Sequence, residues 1–440
     1  MMKPGKLKNI LRQAGIFLAV ALAVAVWIKL PLVVLALFLG FLVWLFTTHY
    51  GAQTLAIVWV GLSTVPQRIG ATSVIVVGIA GVVGVLIALL AMASGFEATL
   101  KGAGNTDSAI ILRAGADAEL SSGLDRNTTT VITEAPGILR DALSRPIASA
   151  EVVVVANLPK RSTGSDANVE VRGVGPEVWA LRPNVRVVAG RRFKPGLREM
   201  VVGEGALHQF AGLDLGATIR LNNQAWKIVG IFSSGDTHDS EIWGDAESVA
   251  SAYRRSVFQS VTVRLVDASA FDALKAALAA DPRIKVDVQT TRDYYNKQSE
   301  RLTTVIRALG TGVAVIMAIG AIFGALNTMY SAIADRAREI ATLRALGFSG
   351  LPVVVSTLME AMILALFGGI VGAAVAYGIF NGYRVSTLGS NFSQVVFQFR
   401  VTPALLLGGL QWALAIGFVG GLYPALGAAR IPISEALREL

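Results

Sequence analysis

The densest group of metal-type side chains lies in the segment DTHDSEIWGD, at positions 236–245. It contains Asp236, His238, Asp239, Glu241 and Asp245. Carboxylate and imidazole groups so closely spaced could bind a cation. The segment is also typical of a polar turn between two strands. We favour a solvated loop here and predict no metal site.

Motifs for nucleotide binding and hydrolysis are missing from the sequence. It contains no G-x-x-x-x-G-K-[ST] loop, no G-x-S-x-G elbow and no H-E-x-x-H pair. The histidines at 49, 208 and 238 are scattered, and the absence of cysteine excludes disulfides and thiolate chemistry. The chain is therefore expected not to be an enzyme, with no catalytic, cofactor-binding or metal-binding residue.

One carboxylate lies inside an apolar segment. Glu360 falls about nine residues into the run 351–379, where an ionised side chain is costly in a bilayer. Such a carboxylate can mark an ion pathway. The alternative, which we favour, is a carboxylate near the cytoplasmic end that caps a helix or pairs with an arginine such as Arg344.

Long apolar runs make this an integral membrane protein. Of its 440 residues 53% are hydrophobic and 16% are charged. The segment 53–71, which carries Trp59, Pro66 and Arg68, is typical of an interfacial amphipathic helix. Residues 14–48 are interpreted as an additional helical hairpin, the alternative being one uncleaved anchor. Four further runs are each long enough to cross a bilayer: about 72–94, 308–333, 351–379 and 403–425.

Basic residues set the predicted orientation. With six spans, the basic residues that flank the apolar runs all fall on one side of the membrane. The positive-inside rule makes that side cytoplasmic. These basic residues are Lys3, Lys6, Lys8, Arg12, Arg68, Arg336, Arg338, Arg344, Arg430 and Arg438. Residues 96–300 then lie outside.

The outer segment is predicted to be a mixed α/β domain. Alternating and β-branched runs predict strands, and a helical pattern occupies 268–282. The strands are expected at 108–113, 151–156, 168–174, 199–203, 225–232, 260–266 and 284–289. One uninterrupted helix is expected from Arg292 to about Arg336, as a stalk that continues into a span. The span at 72–94 is expected to extend likewise through GFEATLK.

The connector RAREIATLRALGFSG, residues 336–350, has the pattern of an amphipathic helix. Placed on the cytoplasmic side, it could dock into a groove of a soluble partner, with Ile340, Leu343 and Leu346 as apolar anchors. Alternatively it rests on lipid headgroups. The candidate coupling residues are Arg336, Arg338, Glu339, Ile340, Leu343, Arg344, Leu346 and Gly347.

Glycines in the spans predict close helix packing, either within the chain or between subunits. They are Gly78, Gly81, Gly84, Gly320, Gly324, Gly368, Gly372, Gly417 and Gly421.

Several of these motifs together resemble the MacB/FtsX-type ABC transporter permeases over about residues 55–440. The connector resembles the family's coupling helix, with Phe348 in place of a small residue. MEAMILALFGGIVGAAVAY resembles the third span, with Glu360, Gly368 and Gly372 in register. The tail YPALGAARIPISEALREL resembles the family's closing motif, and VVGEGALHQF with the strands after it is similar to the MacB-type outer core.

The resemblance implies a stand-alone permease subunit, a multi-pass protein of the inner membrane with a MacB-type periplasmic domain. ATP and Mg would be bound by a separate ABC ATPase. The permease would work as a dimer with a second copy or a paralogue, and with a periplasmic adaptor and an outer-membrane component. ATP hydrolysis would drive efflux by mechanotransmission. No nucleic acid is expected as a partner.

Two other functions remain open: a lipoprotein-extracting permease like LolC/LolE, and an FtsX-like regulator of a cell-wall hydrolase that transports nothing. The family's minimal permease has four spans, so the N-terminal hairpin is additional. The predicted boundaries are 1–52 for the basic segment and hairpin, 53–71 for the interfacial helix, 72–95 for the first core span, 96–300 for the outer domain, 301–333 for the stalk and second span, 334–350 for the coupling helix, 351–425 for the third and fourth spans, and 426–440 for the tail.

Overall fold

The computed structural model describes residues 31–389 and 391–430. The first arm of the expected N-terminal hairpin and the tail motif beyond Arg430 lie outside these residues. The described chain divides into two compact units. The outer unit comprises Met92–Val305 and Gly382–Phe399, and the membrane unit comprises the described residues up to Ala91, Ile306–Asn381, and those from Arg400 onward.

Twelve α-helices are described in these ranges. In chain order they are α1 (Pro31–Thr47), α2 (His49–Ser63), α3 (Ile69–Gly102), α4 (Arg126–Thr133), α5 (Val178–Leu181), α6 (Glu204–Gln209), α7 (Ala246–Ala252), α8 (Ala270–Ala280), α9 (Thr291–Asp335), α10 (Ala337–Ala345), α11 (Gly350–Phe380) and α12 (Pro403–Ala428).

The four expected core spans are present as long apolar helices. Those long and apolar enough to cross a membrane are Thr72–Gly102, Thr291–Asp335, Gly350–Phe380 and Pro403–Ala428. The second of these confirms the single helix expected from Arg292 to about Arg336, because no proline interrupts its 45 residues. Helix α3 likewise continues through GFEATLK, as expected.

Helices α1 and α2 form a bent pair with an angle of 95° between them. Thr48 caps α2 by accepting a hydrogen bond from the Gly51 amide at 3.0 Å. Gly51 has no side chain to collide with the Leu45 carbonyl, which lies where a Cβ would stand. The second arm of the expected hairpin is thus a helix. The expected interfacial segment is helical to Ser63 and then turns through Val65–Arg68.

The glycines of the spans divide into two groups. A Cβ on Gly368 would lie 2.8 Å from the Val76 carbonyl, and one on Gly421 would lie 2.6 Å from the Ala361 Cβ. Gly372 and Gly417 are equally close to Ala80 and Ala365, so these four glycines bring α3, α11 and α12 together. Gly84 approaches Gly372 more loosely. In contrast, a Cβ would meet nothing within 4 Å at Gly78, Gly81, Gly320 or Gly324, which therefore pack no helix within the described chain.

Twelve strands are described, all in the outer unit. They are β1 (Ser108–Arg113), β2 (Ala148–Pro159), β3 (Asp166–Val174), β4 (Arg186–Gly190), β5 (Glu199–Gly203), β6 (Thr218–Leu221), β7 (Gln224–Ser233), β8 (Glu241–Asp245), β9 (Ser260–Arg264), β10 (Val286–Thr290), β11 (Arg384–Leu388) and β12 (Gln394–Gln398).

Ten of these strands form one mixed sheet. Its order is β10-β1-β9-β2-β3-β8-β5-β7-β4, and β6 pairs with β7. Strands β3 and β8 run parallel, as do β5 and β7, and the other pairs are antiparallel. Helices α4 and α8 cover the β1, β9 and β10 part, where Ile132, Leu274 and Leu278 are buried. The mixed α/β prediction for this domain is confirmed.

The segment 236–245 is not the solvated loop that the sequence suggested. Thr237–Ser240 form a single 3-10 turn, and Glu241–Asp245 form β8, which is buried along its whole length. Asp236, His238 and Glu241 are at most 5% exposed. In the sequence, Trp243 directly after Ile242 was the signal for a buried strand. In the described part of the chain, no group of three His, Asp or Glu side chains could hold a metal ion.

The chain between α11 and α12 forms a hairpin of β11 and β12. From the sequence, these residues were expected to belong with the third and fourth spans, within 351–425. The structure instead assigns Gly382–Phe399, hereafter the hairpin, to the outer unit. Val395 and Phe397 of the hairpin are buried against Phe96, Tyr294 and Tyr295. Its apolar residues thus complete the core of the outer unit.

Candidate functional site

The connector helix α10 begins directly after α9, with Arg336 at its N-cap position. It ends in a Schellman motif, in which Phe348 N–H donates to the Leu343 carbonyl and Gly347 N–H donates to the Arg344 carbonyl, both at 3.1 Å. Gly347 adopts φ +100°, which the motif requires and which favours glycine. The local sequence therefore specifies a short helix with a defined end.

The inner face of α10 packs on its own chain. Ile340 is buried with Ile57, Ile333, Val353 and Ala428. Leu343 and Phe348 pack against the same cluster, as the apolar contact of a Schellman motif commonly does. This packing explains a large Phe348 where the resembled family has a small residue.

This packing corrects the expected docking face. Ile340 and Leu343 were expected to fill a groove of a partner, but Ile340 is 8% exposed and Leu343 is partly buried. Leu346, the third expected anchor, is 74% exposed. Exposed residues of the connector are Arg338, Glu339, Thr342, Ala345, Leu346 and Gly347. Positions 338, 342, 345 and 346 share one helical face.

A group of ionised side chains joins α10 to its neighbours. Arg336 Nη1 lies 3.2 Å from Glu360 Oε2 on α11. Arg68 Nη2 lies 3.6 Å from Glu360 Oε1 and donates to Thr64 Oγ1 at 2.8 Å. Arg336 Nε also donates to Glu339 Oε2 at 3.2 Å. We call Arg68, Arg336, Glu339 and Glu360 the charged node.

The charged node is balanced, and its members other than Glu339, whose side chain is 56% exposed, are largely shielded from solvent. Two guanidiniums face two carboxylates, and the side chains of Arg68, Arg336 and Glu360 are 18%, 16% and 10% exposed. Beside it lies a cavity of about 30 Å³, lined in part by Ser356 and Thr357, with room for one water. The expected pairing of Glu360 with an arginine is thus observed, but Arg336 and Arg68 make it in place of Arg344.

The backbone of α2 at Gly61 lies against the charged node. A Cβ there would stand 3.0 Å from Glu360 Oε2 and 3.3 Å from Arg336 Nη1. The ion pair therefore lies directly on the α2 backbone. The sequence pattern did not predict this role of Gly61, and it predicted for Arg68 only a place on the cytoplasmic side. The only available signal was that Arg68 and Glu360 are charged residues within largely apolar segments.

Two family models match the chain. Residues 70–281 match the MacB-like periplasmic core domain, and residues 311–433 match the FtsX-like permease C-terminal model. The chain is 25% identical over 390 residues to the ABC transporter permease YknZ of Bacillus subtilis, covering 81% of this chain and 92% of YknZ.

Further similarities are to MacB proteins. The chain is 31% identical over 233 residues to the macrolide export ATP-binding/permease protein MacB of Photorhabdus laumondii, covering 51% of this chain and 35% of that protein. This chain therefore spans about a third of that relative's length. The periplasmic region of MacB from Actinobacillus actinomycetemcomitans superposes with a TM-score of 0.35 at 15% identity, covering 45% of this chain and 94% of that one.

Proposed function

This chain belongs to the MacB/FtsX-like family of ABC transporter permeases, and we propose that its connector α10 couples a separate cytoplasmic ATPase to the membrane helices. A permease of an ABC transporter implies an ATPase partner. The sequence carries no P-loop motif of its own, so ATP and Mg would be bound by that partner.

The proposal rests on the difference between the inner and the outer face of α10. Its inner face is fixed by the apolar cluster around Ile340 and by the charged node. Its outer face presents Leu346 and polar side chains to solvent. A partner that binds the outer face would move α10 together with the residues that hold it, on α2, α9 and α11.

Helix α9 suits the transmission of such a motion. It is one helix of 45 residues from Thr291 to Asp335, and it ends where the connector begins. At 1.5 Å per residue it is about 65 Å long. An uninterrupted helix bends little without proline or a bulge. We propose that ATP-driven displacement of α10 reaches the extracytoplasmic side through α9, which is mechanotransmission.

The physiological output we propose is export or efflux from the inner membrane by a permease dimer, with a periplasmic adaptor and an outer-membrane component. The MacB relative is a macrolide export protein, which supports export as the class of transport. Gly78, Gly81, Gly320 and Gly324, which pack on nothing within the described chain, support a contact with the second permease subunit.

A site-specific photocrosslink tests the coupling. A benzophenone amino acid replaces Leu346, or Leu143 in the outer unit as a control of equal 74% exposure. The tagged permease is purified after irradiation of whole cells. Position 346, and not position 143, should crosslink to a protein that contains a Walker A motif. Crosslinking of both positions alike, or of position 346 to lipid only, contradicts the proposal.

A further inference from the structure

The outer unit contains a buried guanidinium surrounded by acids. Arg172 on β3 is 2% exposed. It contacts Glu119 at 2.7 Å, Glu151 at 2.9 Å, Glu170 at 2.6 Å and Glu241 at 2.8 Å. Each of these glutamates is at most 6% exposed. We call the four glutamates the carboxylate cluster.

The carboxylate cluster has more acids than buried guanidiniums to pair with. Arg182 also contacts Glu151, at 2.7 Å, so two guanidiniums face four carboxyls. Neutral donors add hydrogen bonds, from Ser260 to Glu119 and from Trp243 to Glu241. Burying two uncompensated negative charges is costly, so a cluster of this kind favours keeping a proton.

The other titratable groups around the cluster do not supply the missing positive charge. His238 is already paired with Asp236 at 2.8 Å, and its other ring nitrogen lies 3.3 Å from the Tyr295 hydroxyl. Tyr294 accepts a hydrogen bond from the Glu119 amide. Burial raises the pKa of both tyrosines, so they remain neutral.

Glu170 is the acid best placed to hold the proton. Burial, and then the nearby Glu241 carboxylate, raise the pKa of Glu170 to about 7. Burial also opposes ionisation of Glu151, but Arg182 and Arg172 outweigh it and lower the pKa of Glu151 to about 2. Arg172 likewise outweighs burial at Glu119 and lowers its pKa.

Glu170 also touches the hairpin. Its Oε2 accepts hydrogen bonds from Asn391 Nδ2 and Ser393 Oγ, each at 3.1 Å. Beside it, Asn168 Nδ2 donates to the Phe392 carbonyl at 2.8 Å. The hairpin thus lies over a carboxyl group that belongs to the sheet.

A polar atom of the hairpin is free to accept a hydrogen bond from a protonated Glu170. Asn391 is 8% exposed, and its Oδ1 has no hydrogen-bond partner in the described part of the chain. Asn391 and Glu170 line a common cavity of about 30 Å³, which has room for one water. A protonated Glu170 gains an O–H donor, which Asn391 Oδ1 can accept directly or through that water.

We propose that Glu170 is a proton-binding site that holds the hairpin on the sheet. With the proton bound, the covered carboxyl is neutral. When the proton leaves, a second uncompensated negative charge lies under the hairpin. The hydrogen bond from Asn391 favours this ionised form, but burial and the Glu241 carboxylate outweigh it, and hydration of Glu170 requires the hairpin to loosen. A low pH around the outer unit therefore favours the hairpin held against the sheet. The hairpin connects α11 to α12. This inference does not depend on coupling to an ATPase.

Pulsed electron–electron distance measurement on the full-length protein in nanodiscs tests the site. The chain contains no cysteine, so Leu388→Cys and Lys227→Cys accept two spin labels. Both positions are exposed, the first at the end of β11 and the second on β7 of the sheet. We expect one narrow distance distribution at about pH 5.5 and a broader one at about pH 8.5, with a midpoint near the pKa of Glu170.

Two substitutions in the labelled protein identify the group. Glu170→Gln mimics the protonated acid and should keep the distribution narrow at both pH values. Glu247→Gln, an exposed glutamate paired with Arg126, should retain the wild-type pH response. A wild-type distribution that does not change with pH overturns the proposal, whether or not Glu170→Gln folds. A full pH response in Glu170→Gln overturns it as well.

Discussion

The guanidinium of Arg336 lies 3.2 Å from the carboxylate of Glu360, and this pair joins the start of the connector α10 to the interior of α11. A second guanidinium, from Arg68, approaches the same carboxylate from the segment between α2 and α3. Three separate parts of the membrane unit therefore meet at one side chain. Motion of the connector is thereby tied to its neighbours.

Removal of the shared carboxylate should destabilise the protein. Glu360→Gln leaves Arg336 and Arg68 with Glu339 as the one remaining carboxylate of the charged node, which should cost about 2 kcal/mol of unfolding free energy. Thermal unfolding in detergent measures the loss. In a double-mutant cycle with Arg336→Gln, the two losses should be less than additive. Unchanged stability of Glu360→Gln would instead favour the ion-pathway interpretation.

Adding a side chain at Gly61 should disturb the same ion pair. Gly61→Val puts a branched Cβ 3.0 Å from Glu360 Oε2 and 3.3 Å from Arg336 Nη1, and such overpacking typically costs about 1–3 kcal/mol. Gly70→Val is the matched control, because a Cβ at Gly70 meets nothing within 4 Å. The melting temperature should fall further in Gly61→Val than in Gly70→Val. Equal shifts would mean that the position beside the ion pair is not special.

Removal of the central guanidinium of the outer unit should have a pH-dependent effect. Arg172→Met leaves four buried carboxyls with Arg182 alone, which should cost roughly 3–5 kcal/mol near neutral pH. Because Arg172 lowers the pKa of Glu119 and of Glu151, those acids stabilise the wild type above their usual pKa of 4.5, and this contribution is lost as the pH falls through the lowered values.

The loss of unfolding free energy in Arg172→Met, relative to the wild type, should therefore shrink as the pH is lowered toward about 4. At that pH the buried carboxyls of the variant take up protons. Unfolding of wild type and variant can be followed by fluorescence, since Trp226 and Trp243 are both fully buried in this unit. A deficit that is constant between about pH 4 and pH 8 would exclude an electrostatic role for Arg172.

The sequence was sufficient where local pattern determines structure. The strands at 108–113 and 199–203 were predicted with their observed ends, because β-branched and aliphatic runs are bounded there by polar or turn residues. Strands β4, β6, β8, β11 and β12 were missed, because they are short and rich in polar residues or glycine. Their place in the fold comes from tertiary pairing, which a local pattern does not encode.

The candidate sites were only partly predictable for the same reason. The connector motif located α10 because its amphipathic pattern is local. The partners in its ion pairs are not close in the sequence, so a local pattern does not reveal them. Glu360 follows Arg336 by 24 residues, and Arg68 comes from a distant segment. Arg172 meets Glu170 of its own strand β3 and three glutamates from other elements, and no spacing rule in the sequence reveals the contacts with those three.

Topology can be tested with single cysteines, since the chain has none. Ser165→Cys in the outer unit and Ala345→Cys on the connector are both exposed positions. In intact spheroplasts an impermeant maleimide should label the first and not the second, and permeabilisation should make both reactive. Labelling of Ala345→Cys before permeabilisation would place the connector on the outer side.

The central claim, that α10 couples an ATPase through its outer face, is tested most directly by ATP turnover of the purified complex. Leu346→Asp should abolish turnover and retention of the ATPase, because loss of an exposed apolar anchor at an interface typically costs about 2 kcal/mol or more. Leu143→Asp, at an equally exposed position of the outer unit, should leave both unchanged. Wild-type ATPase retention and turnover in Leu346→Asp would contradict the account.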